Sequence, residues 1–447
     1  MISADELLSL VRIGVDVALQ VGTDQVEAYG DVSKRINVSI SGKHIHSIQV
    51  THDSGVGIRS YVHGGFGFSY TMQLNKDSIR TAAEKATKLA KVAQKDPYFK
   101  SLPEPKKTKH VKGLYDPELA SIQVEEASKI VENMICSAHE VSNAAILRGS
   151  LMVVSRNYAV ANSLGVDFAE PTTNISIHIM SIVRKTSDNV GSGFEFDYAR
   201  NLRDIHPEWV AHQATSKAVN FLGACQSRTQ KCALLLSPNA TWRLAYAMAL
   251  PLDGQNVALE NSCLADKIGA RIAYEGLTLI DNGVVEKGML SSSVDAEGTP
   301  KKSFAIIEKG VLKAYLHNSY TANRLKMKNN ACAARDSYKS SVTTAPSNIQ
   351  IKLGDQKLDD MIRDIKNGIY LDSFPAPDPV TGNVSSMIDF GVQIRNGEMA
   401  EPVKGTMIGA NLLDLLRNIS SISKETRNTA GVMLPYLKIE NVQIAGK

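Results

Sequence analysis

Residues Cys232–Gly254, CALLLSPNATWRLAYAMALPLDG, carry the reading of this chain. The run Cys232–Leu236 is short, apolar and closed by Ser237-Pro238, the pattern of a buried strand ending in a turn. Ser237 or Asn239 can then cap a helix by offering a side-chain oxygen to its first free N–H groups. That helix is predicted to run to about Leu250, where Pro251 stops it. Between Ala240 and Leu252 the only ionisable side chains are Arg243 and Tyr246. A helix this apolar is expected inside the molecule. A strand that delivers a central helix is a common way to present catalytic side chains, and this helix presents none.

A chain of 447 residues can bury two or three hydrophobic cores. Fifty basic residues against 46 acidic ones leave a net charge of +4, too balanced to argue for nucleic-acid binding. No apolar run reaches the ~18 residues of a membrane span. The N-terminus MISADELLSLVRIGVDVALQVG carries Asp5 and Glu6 ahead of Leu and Val spaced three and four apart. This is a capped amphipathic helix, whereas a signal peptide would begin basic. A cytoplasmic protein with no membrane or nucleic-acid partner is expected. Cys136, Cys225, Cys232, Cys263 and Cys332 are scattered, odd in number and without a CxxC pair, so reduced thiols are expected.

The first 222 residues read as an α+β domain with helices on a mostly antiparallel sheet. Asp24–Gly30 is a strand, and Arg35–Gln49 alternates like a hairpin turning near Gly42. The glycines of Gly55-Val-Gly-Ile-Arg59 and Gly64-Gly65-Phe-Gly67 lack phosphate-loop spacing and are read as tight hairpin turns. Asp77–Ala93 is a helix capped by Asp77 or Ser78, with Ile79, Ala83, Ala86, Leu89 and Ala90 on one face. Residues 96–115 form a connector, and its basic run Lys106-Lys107-Thr108-Lys109-His110 with Lys112 reads as a solvated linker. Glu118–Val141 is a second long helix. Strands at Ala145–Val154, Tyr158–Asn162 and Thr173–Lys185 follow, with a turn at Asn162–Gly165, then a helix at Pro207–Leu222. The theme of helix, antiparallel strands and helix thus occurs twice.

Residues 223–447 read as a β-rich sandwich or barrel-like domain. Strands are predicted at Leu277–Ile280, Ser303–Glu308, Val311–Leu316, Ser347–Leu353, Ile369–Asp372, Val384–Arg395 and Met399–Val403. Short helices are predicted at Asp355–Asn367 and Asn411–Asn418.

Familiar catalytic patterns fail on spacing. In His206-Pro-Glu-Trp-Val-Ala-His212 the histidines are six apart, about 240° around a helix, so they do not share a face. His44 and His46 share a strand face but have no third ligand nearby. No histidine follows His317 and no cysteine follows Cys332. A zinc site there would rest on carboxylates alone, which zinc rarely uses. Asp295 and Glu297 lie on a Gly-Pro hairpin where local backbone bonding is expected. Asp372 opens a rigid proline loop.

The ordered set Leu277–Asp281, Ser293–Pro300, Ile307–Ala322, Ile394–Val403 and Gly409–Leu413 resembles the TldD/PmbA (TldE) family. Gly55–Arg59, Gly67–Ser69 and Asn162–Gly165 fit its earlier segments. By that resemblance, TldD-type chains are zinc peptidases with HExxxH on the helix after the central strand and a cysteine ligand near the C-terminus. PmbA/TldE-type chains lack these and pair with TldD. Aligned on Leu236–Pro238, the HExxxH positions fall at about Tyr246, Ala247 and Pro251, none of which can bind zinc or act as general base. The resemblance therefore implies a non-catalytic subunit, inactive alone, with no cofactor of its own and with zinc in a TldD-like partner. Its substrates would be unstructured peptides or peptide precursors, and it would form a heterodimer or a homodimer. Cleft-lining candidates are Asp295, Glu297, Asn323, Arg324 and Asp372. Thr321-Ala322-Asn323 replaces the family's T-G-N, which points to altered turn geometry. The alternatives are a self-sufficient homodimeric hydrolase using Asp295, Glu297 or Asp372, and a non-enzymatic modulator of DNA gyrase.

Overall fold

A computed structural model describes all residues, Met1–Lys447. Its first half builds the repeated theme as two joined units. One holds α1 (Ala4–Gln20), β1 (Gln25–Gly42), β2 (His44–Val62), β3 (Gly65–Thr71) and α2 (Lys76–Val92). The other holds α3 (Pro117–Ser121), α4 (Val124–Val141), β4 (Ile146–Asn162), β5 (Asp167–Arg184), β6 (Val190–Ala199) and α5 (Pro207–Asn220). The strands make one six-stranded sheet in the order β3-β2-β1-β4-β5-β6. Every neighbouring pair in it is antiparallel. The two units meet where β1 runs along β4, from Glu27 opposite Asn162 to Gly42 opposite Leu147.

Strand alternation explains why the helices share one face. Val26, Ala28 and Val32 of β1 pack with α1 and α2. Ile36, Val38 and Ile40, on the same even-numbered face, pack with α4 and α5. Helix starts follow local chemistry. Ser3 and Glu6 form a reciprocal capping box for α1. Asn75, rather than Asp77 or Ser78, caps α2 by accepting from Ser78 N–H at 2.9 Å. The buried face of α2 holds Ile79, Ala82, Ala83, Ala86, Thr87 and Ala90, while Leu89 is exposed.

Several predicted boundaries move. The strands predicted at 24–30 and 35–42 are one β1, which turns at Gly42 as expected. The two pieces at 145–162 are one β4. The long helix predicted from Glu118 is broken at Ile122-Gln123. Gly55 and Gly57 are not turns but lie inside β2. A Cβ on Gly57 would stand 2.0 Å from the Tyr338 carbonyl oxygen, so glycine is needed for a C-terminal loop to rest on the sheet. Gly64, with φ +84°, is the true turn glycine of that stretch.

The second half is a mixed sheet with its own core. β7 (Gln230–Leu236) leads to α6 (Pro238–Ala247), α7 (Ala249–Leu252) and α8 (Gly254–Ala258). β8 (Leu279–Asn282), β9 (Ser303–Glu308) and β10 (Val311–Leu312) precede α9 (Ser319–Leu325). β11 (Ala333–Ala334), β12 (Thr343–Thr344), β13 (Asn348–Ile351), α10 (Leu358–Arg363) and β14 (Asn367–Leu371) come next. β15 (Asn383–Met387), β16 (Gly391–Arg395), β17 (Glu398–Val403), β18 (Met407–Asn411), α11 (Leu412–Arg417), β19 (Ile419–Thr429) and β20 (Val432–Ala445) complete the chain. The large sheet runs β15-β18-β20-β7-β14-β16-β17 with β19 on β20, and it curls into a half-barrel. β8, β9, β10 and β13 form a smaller sheet. The fold is α+β, with a β-rich C-terminal region.

The opening stretch lies at the centre of this sheet. β7 has β20 antiparallel on one side and β14 parallel on the other. Ser237 is the cap of α6, its Oγ accepting from Ala240 N–H at 3.2 Å. The helix ends at Ala247, earlier than expected, and restarts at Ala249 to include Pro251. No helix of the chain is long and apolar enough to cross a membrane.

Candidate functional site

The odd-numbered face of β1, opposite the helices, carries Glu27, Tyr29 and Asp31. A solvated sheet would leave these in water, but the second half of the chain covers Glu27 and Tyr29, and Asp31 pairs with Arg156 of β4. Glu27 lies directly opposite Arg59 of β2. Arg59 Nε and Nη2 donate to the two Glu27 carboxylate oxygens at 2.8 and 2.7 Å, the paired geometry guanidinium groups favour. Arg59 Nη2 also donates to Glu297 Oε1 at 2.7 Å. Glu297 accepts from the backbone N–H and hydroxyl of Ser319 at 2.8 and 2.7 Å. Arg335 adds a second cation to Glu27 and lies over the Tyr29 ring, 5.0 Å from its centroid. Two acids and two arginines are thus buried together. Burial opposes the Glu297 charge, yet Arg59 and the Ser319 donors outweigh it and hold the carboxyl below the usual range.

Asp295 does what a turn aspartate does. It accepts from the backbone N–H groups of Glu297 and Thr299, both at 2.9 Å, and of Ala333 at 3.2 Å. Burial, with the Glu297 charge beside it, pushes its pKa up.

A cleft of about 390 Å³ opens beside this cluster. Arg59 and Tyr61 line one wall, Asp253, Asn318 and Tyr320 another, and the segment Ser341–Thr344 a third. Ser341 and Val342 line it outside any strand, and their backbone groups make no backbone hydrogen bond within the chain.

The expected cleft residues divide between three places. Asp295 and Glu297 sit together behind the cleft. Asn323 and Arg324 lie on α9, which sends Tyr320 and Thr321 into the cleft. Arg324 itself stacks over Tyr98 at 4.7 Å and donates to the Ala258 carbonyl at 3.3 Å. Ala322 is helical, so the alanine changes no turn at that position. Asp372 lies elsewhere, paired with Lys217 of α5. That lysine also holds Glu195 at 2.8 Å, and Arg427 donates to Glu195 at 2.8 and 3.2 Å.

Tyr246 is part of the core architecture. Its hydroxyl donates to the Ser347 carbonyl at 2.6 Å and accepts from Ile349 N–H at 3.1 Å, tying α6 to β13. Burial raises its pKa. Ala247 ends α6, and Pro251 is buried in α7. A bonded phenol, a methyl group and a pyrrolidine ring do not fit a zinc ion. No group of three or more His, Cys, Asp or Glu is placed to hold a metal.

Arg59, Arg335 and Glu27 escaped the sequence reading. Glu27 and Arg59 alternate with apolar neighbours as exposed strand residues do. The nearest signal was the adjacent glycine pair, which marks a close approach of other chain.

Matches to known proteins cover most of this architecture. The PmbA/TldA metallopeptidase domain 1 matches residues 26–90, its central domain residues 117–222, and its C-terminal domain residues 229–446. The chain belongs to the PmbA/TldD family. It is 27% identical to an uncharacterized protein of Methanocaldococcus jannaschii, over 92% of this chain and 93% of that one. It is 25% identical to a metalloprotease TldD homolog of Buchnera aphidicola, over 88% of this chain and 87% of that one. The fold matches the crystal structure of TldE from Thermococcus kodakarensis with a TM-score of 0.87 and 24% identity, covering 99% of this chain and 100% of the other.

Proposed function

We propose that this chain is the non-catalytic, TldE/PmbA-type subunit of a two-chain zinc metallopeptidase. In this reading its TldD-type partner holds the zinc and the general base. The observation that carries the reading is Tyr246. At the first of the positions where the family resemblance places the zinc-binding motif stands a phenol whose hydroxyl is consumed by Ser347 and Ile349. The chain's contribution is a wall of the peptide cleft. An extended, unstructured peptide adds its backbone to the free groups of Ser341 and Val342, as strands add to a sheet edge. Residues 1–222 and 223–447 act as its two units, joined behind that cleft by Arg59 and Glu297.

The reading of a self-sufficient carboxylate hydrolase draws no comparable support. Asp295 is occupied by three backbone N–H groups, Glu297 by Arg59 and Ser319, and Asp372 by a lysine of another element.

The test is purification of the chain alone and together with a TldD-type chain from the same genome, followed by metal analysis and peptide hydrolysis. Substoichiometric zinc and no turnover for the chain alone, and stoichiometric zinc with peptide turnover for the complex, are the expected results. Stoichiometric zinc and peptidase activity in the isolated chain would overturn the proposal.

A further inference from the structure

The basic run in the connector is more than a solvated linker. Residues 106–112 have no regular secondary structure, and their side chains are largely exposed. Yet the segment is pinned between β5 and the second half of the chain. Val111 N–H donates to Ser293 Oγ at 3.0 Å, and the Lys112 carbonyl accepts from Lys287 N–H at 3.1 Å. The His110 ring stacks on Phe168, 5.6 Å between centroids. These anchors hold Lys107, Lys109 and Lys112 along one side of a groove of about 480 Å³, with Lys301 and Glu286 on the other.

Four lysines and one carboxylate face this groove, in a chain whose total charge is nearly balanced. None of the four ammonium groups is in a salt bridge, though Lys301 also lies in the field of the buried Asp281 and Asp295 carboxyls. Lys301 is held from beneath by the buried Ser347 hydroxyl at 2.8 Å. Concentrating one sign of charge in a concave site focuses its field on a ligand of the opposite sign. The cations are lysines only. Lysine is a point charge on a flexible stem and lacks the planar fork with which arginine grips a single phosphate or carboxylate. Such a set suits several carboxylates spread along a flexible chain.

We propose that this groove binds an acidic peptide segment, with Lys107, Lys109, Lys112 and Lys301 meeting its Asp and Glu side chains. The site is separate from the cleft at Arg59 and does not depend on the metallopeptidase reading.

The test is fluorescence anisotropy of a labelled deca-glutamate peptide with the full chain at about 0.1 M salt, where the Debye length is about 10 Å. The comparison is between Lys107→Gln/Lys109→Gln/Lys112→Gln and a control variant, Lys85→Gln/Lys88→Gln/Lys129→Gln, which removes the same charge from exposed helix positions. The groove variant is expected to weaken binding by about tenfold or more and the control by less than about twofold, because paired charges matter only within a Debye length. Competition with tripolyphosphate is expected to be weak. No binding, an equal loss in both variants, or binding of tripolyphosphate in place of the peptide would each overturn the proposal. Circular dichroism melts of both variants establish that they are folded.

Discussion

Glu27, Arg59, Glu297 and Arg335 form one ionic cluster between the two halves of the chain, and Glu195, Lys217, Asp372 and Arg427 form another. Each has two carboxylates and two cations, and each ties the six-stranded sheet or its helices to the C-terminal half. They differ in their contact with water. Side-chain exposure in the first is 6% for Arg59 and 0% for both glutamates. In the second it reaches 23% for Lys217, 28% for Arg427 and 14% for Asp372, with only Glu195 dry at 1%. A dry cluster must be complete, because any charge left over has no solvent to turn to. A wetter one tolerates loss. The dry cluster backs the cleft, where its rigid geometry fixes Arg59 and Ser319. The wetter one clamps α5 to β19 at a distance from it.

Arg59→Ala should break this contrast most severely. It leaves Glu27 with Arg335 alone and Glu297 with no cation, at a cost of about 3–5 kcal/mol, measured by urea unfolding. A loss below about 1 kcal/mol would refute the view that the cluster is dry and indispensable.

The dryness extends to His317, next to the Asn318 cap of α9. Its Nδ1 lies 3.2 Å from Thr321 Oγ1, while its Nε2 has no partner. Burial lowers its pKa to about 4. The unfolded chain protonates this histidine near its ordinary value of about 6.5, so it binds the proton first as pH falls. Its contribution is therefore fully present above about 6.5 and is lost as pH falls to about 4, by up to about 3 kcal/mol. Unfolding free energies measured from pH 7 to 4 should fall more steeply for the native chain than for His317→Gln. Parallel slopes would remove His317 from the dry region.

Tyr246→Phe probes the same half without touching a charge. The Ser347 carbonyl and Ile349 N–H lose their partner, and stability should drop by about 2 kcal/mol in chemical denaturation. In the proposed complex, hydrolysis per zinc should stay as it was, since Tyr246 serves packing. Arg427→Ala, in the wetter cluster, should cost least, about 1 kcal/mol, because Lys217 continues to neutralise Glu195. A loss as large as that of Arg59→Ala would erase the distinction between the two clusters.

The repeated unit of helix, strands and helix was legible because each element buries one face and so writes its period into the sequence. The long strands β1 and β4 were cut short in the reading where polar residues such as Ser33, Lys34, Arg156 and Asn157 interrupt the apolar pattern. The C-terminal hairpin of β19 and β20 was missed. Lys424-Glu425-Thr-Arg427 looks solvated, and Pro435 argues against a central strand, yet β20 is the neighbour of β7. Among the candidate residues, Asp295 and Glu297 were read as turn carboxylates. Asp295 has that role, while Glu297 reaches across to the first half of the chain, 238 residues from Arg59. No local pattern records a partner so distant.

The stretch Cys232–Gly254 shows where this boundary falls. By itself, the sequence determined the buried strand, a cap at Ser237 or Asn239 and the apolar helix, since these follow from side-chain chemistry within a few residues. Tertiary structure alone decided that β7 lies between β20 and β14, and that the Tyr246 hydroxyl is used by β13. It likewise decided that Glu27 and Arg59, outward-facing on their own sheet, are buried beneath loops from the far end of the chain. The physical reason is that burial and hydrogen-bond completion depend on which surfaces meet, and those surfaces come from segments hundreds of residues apart.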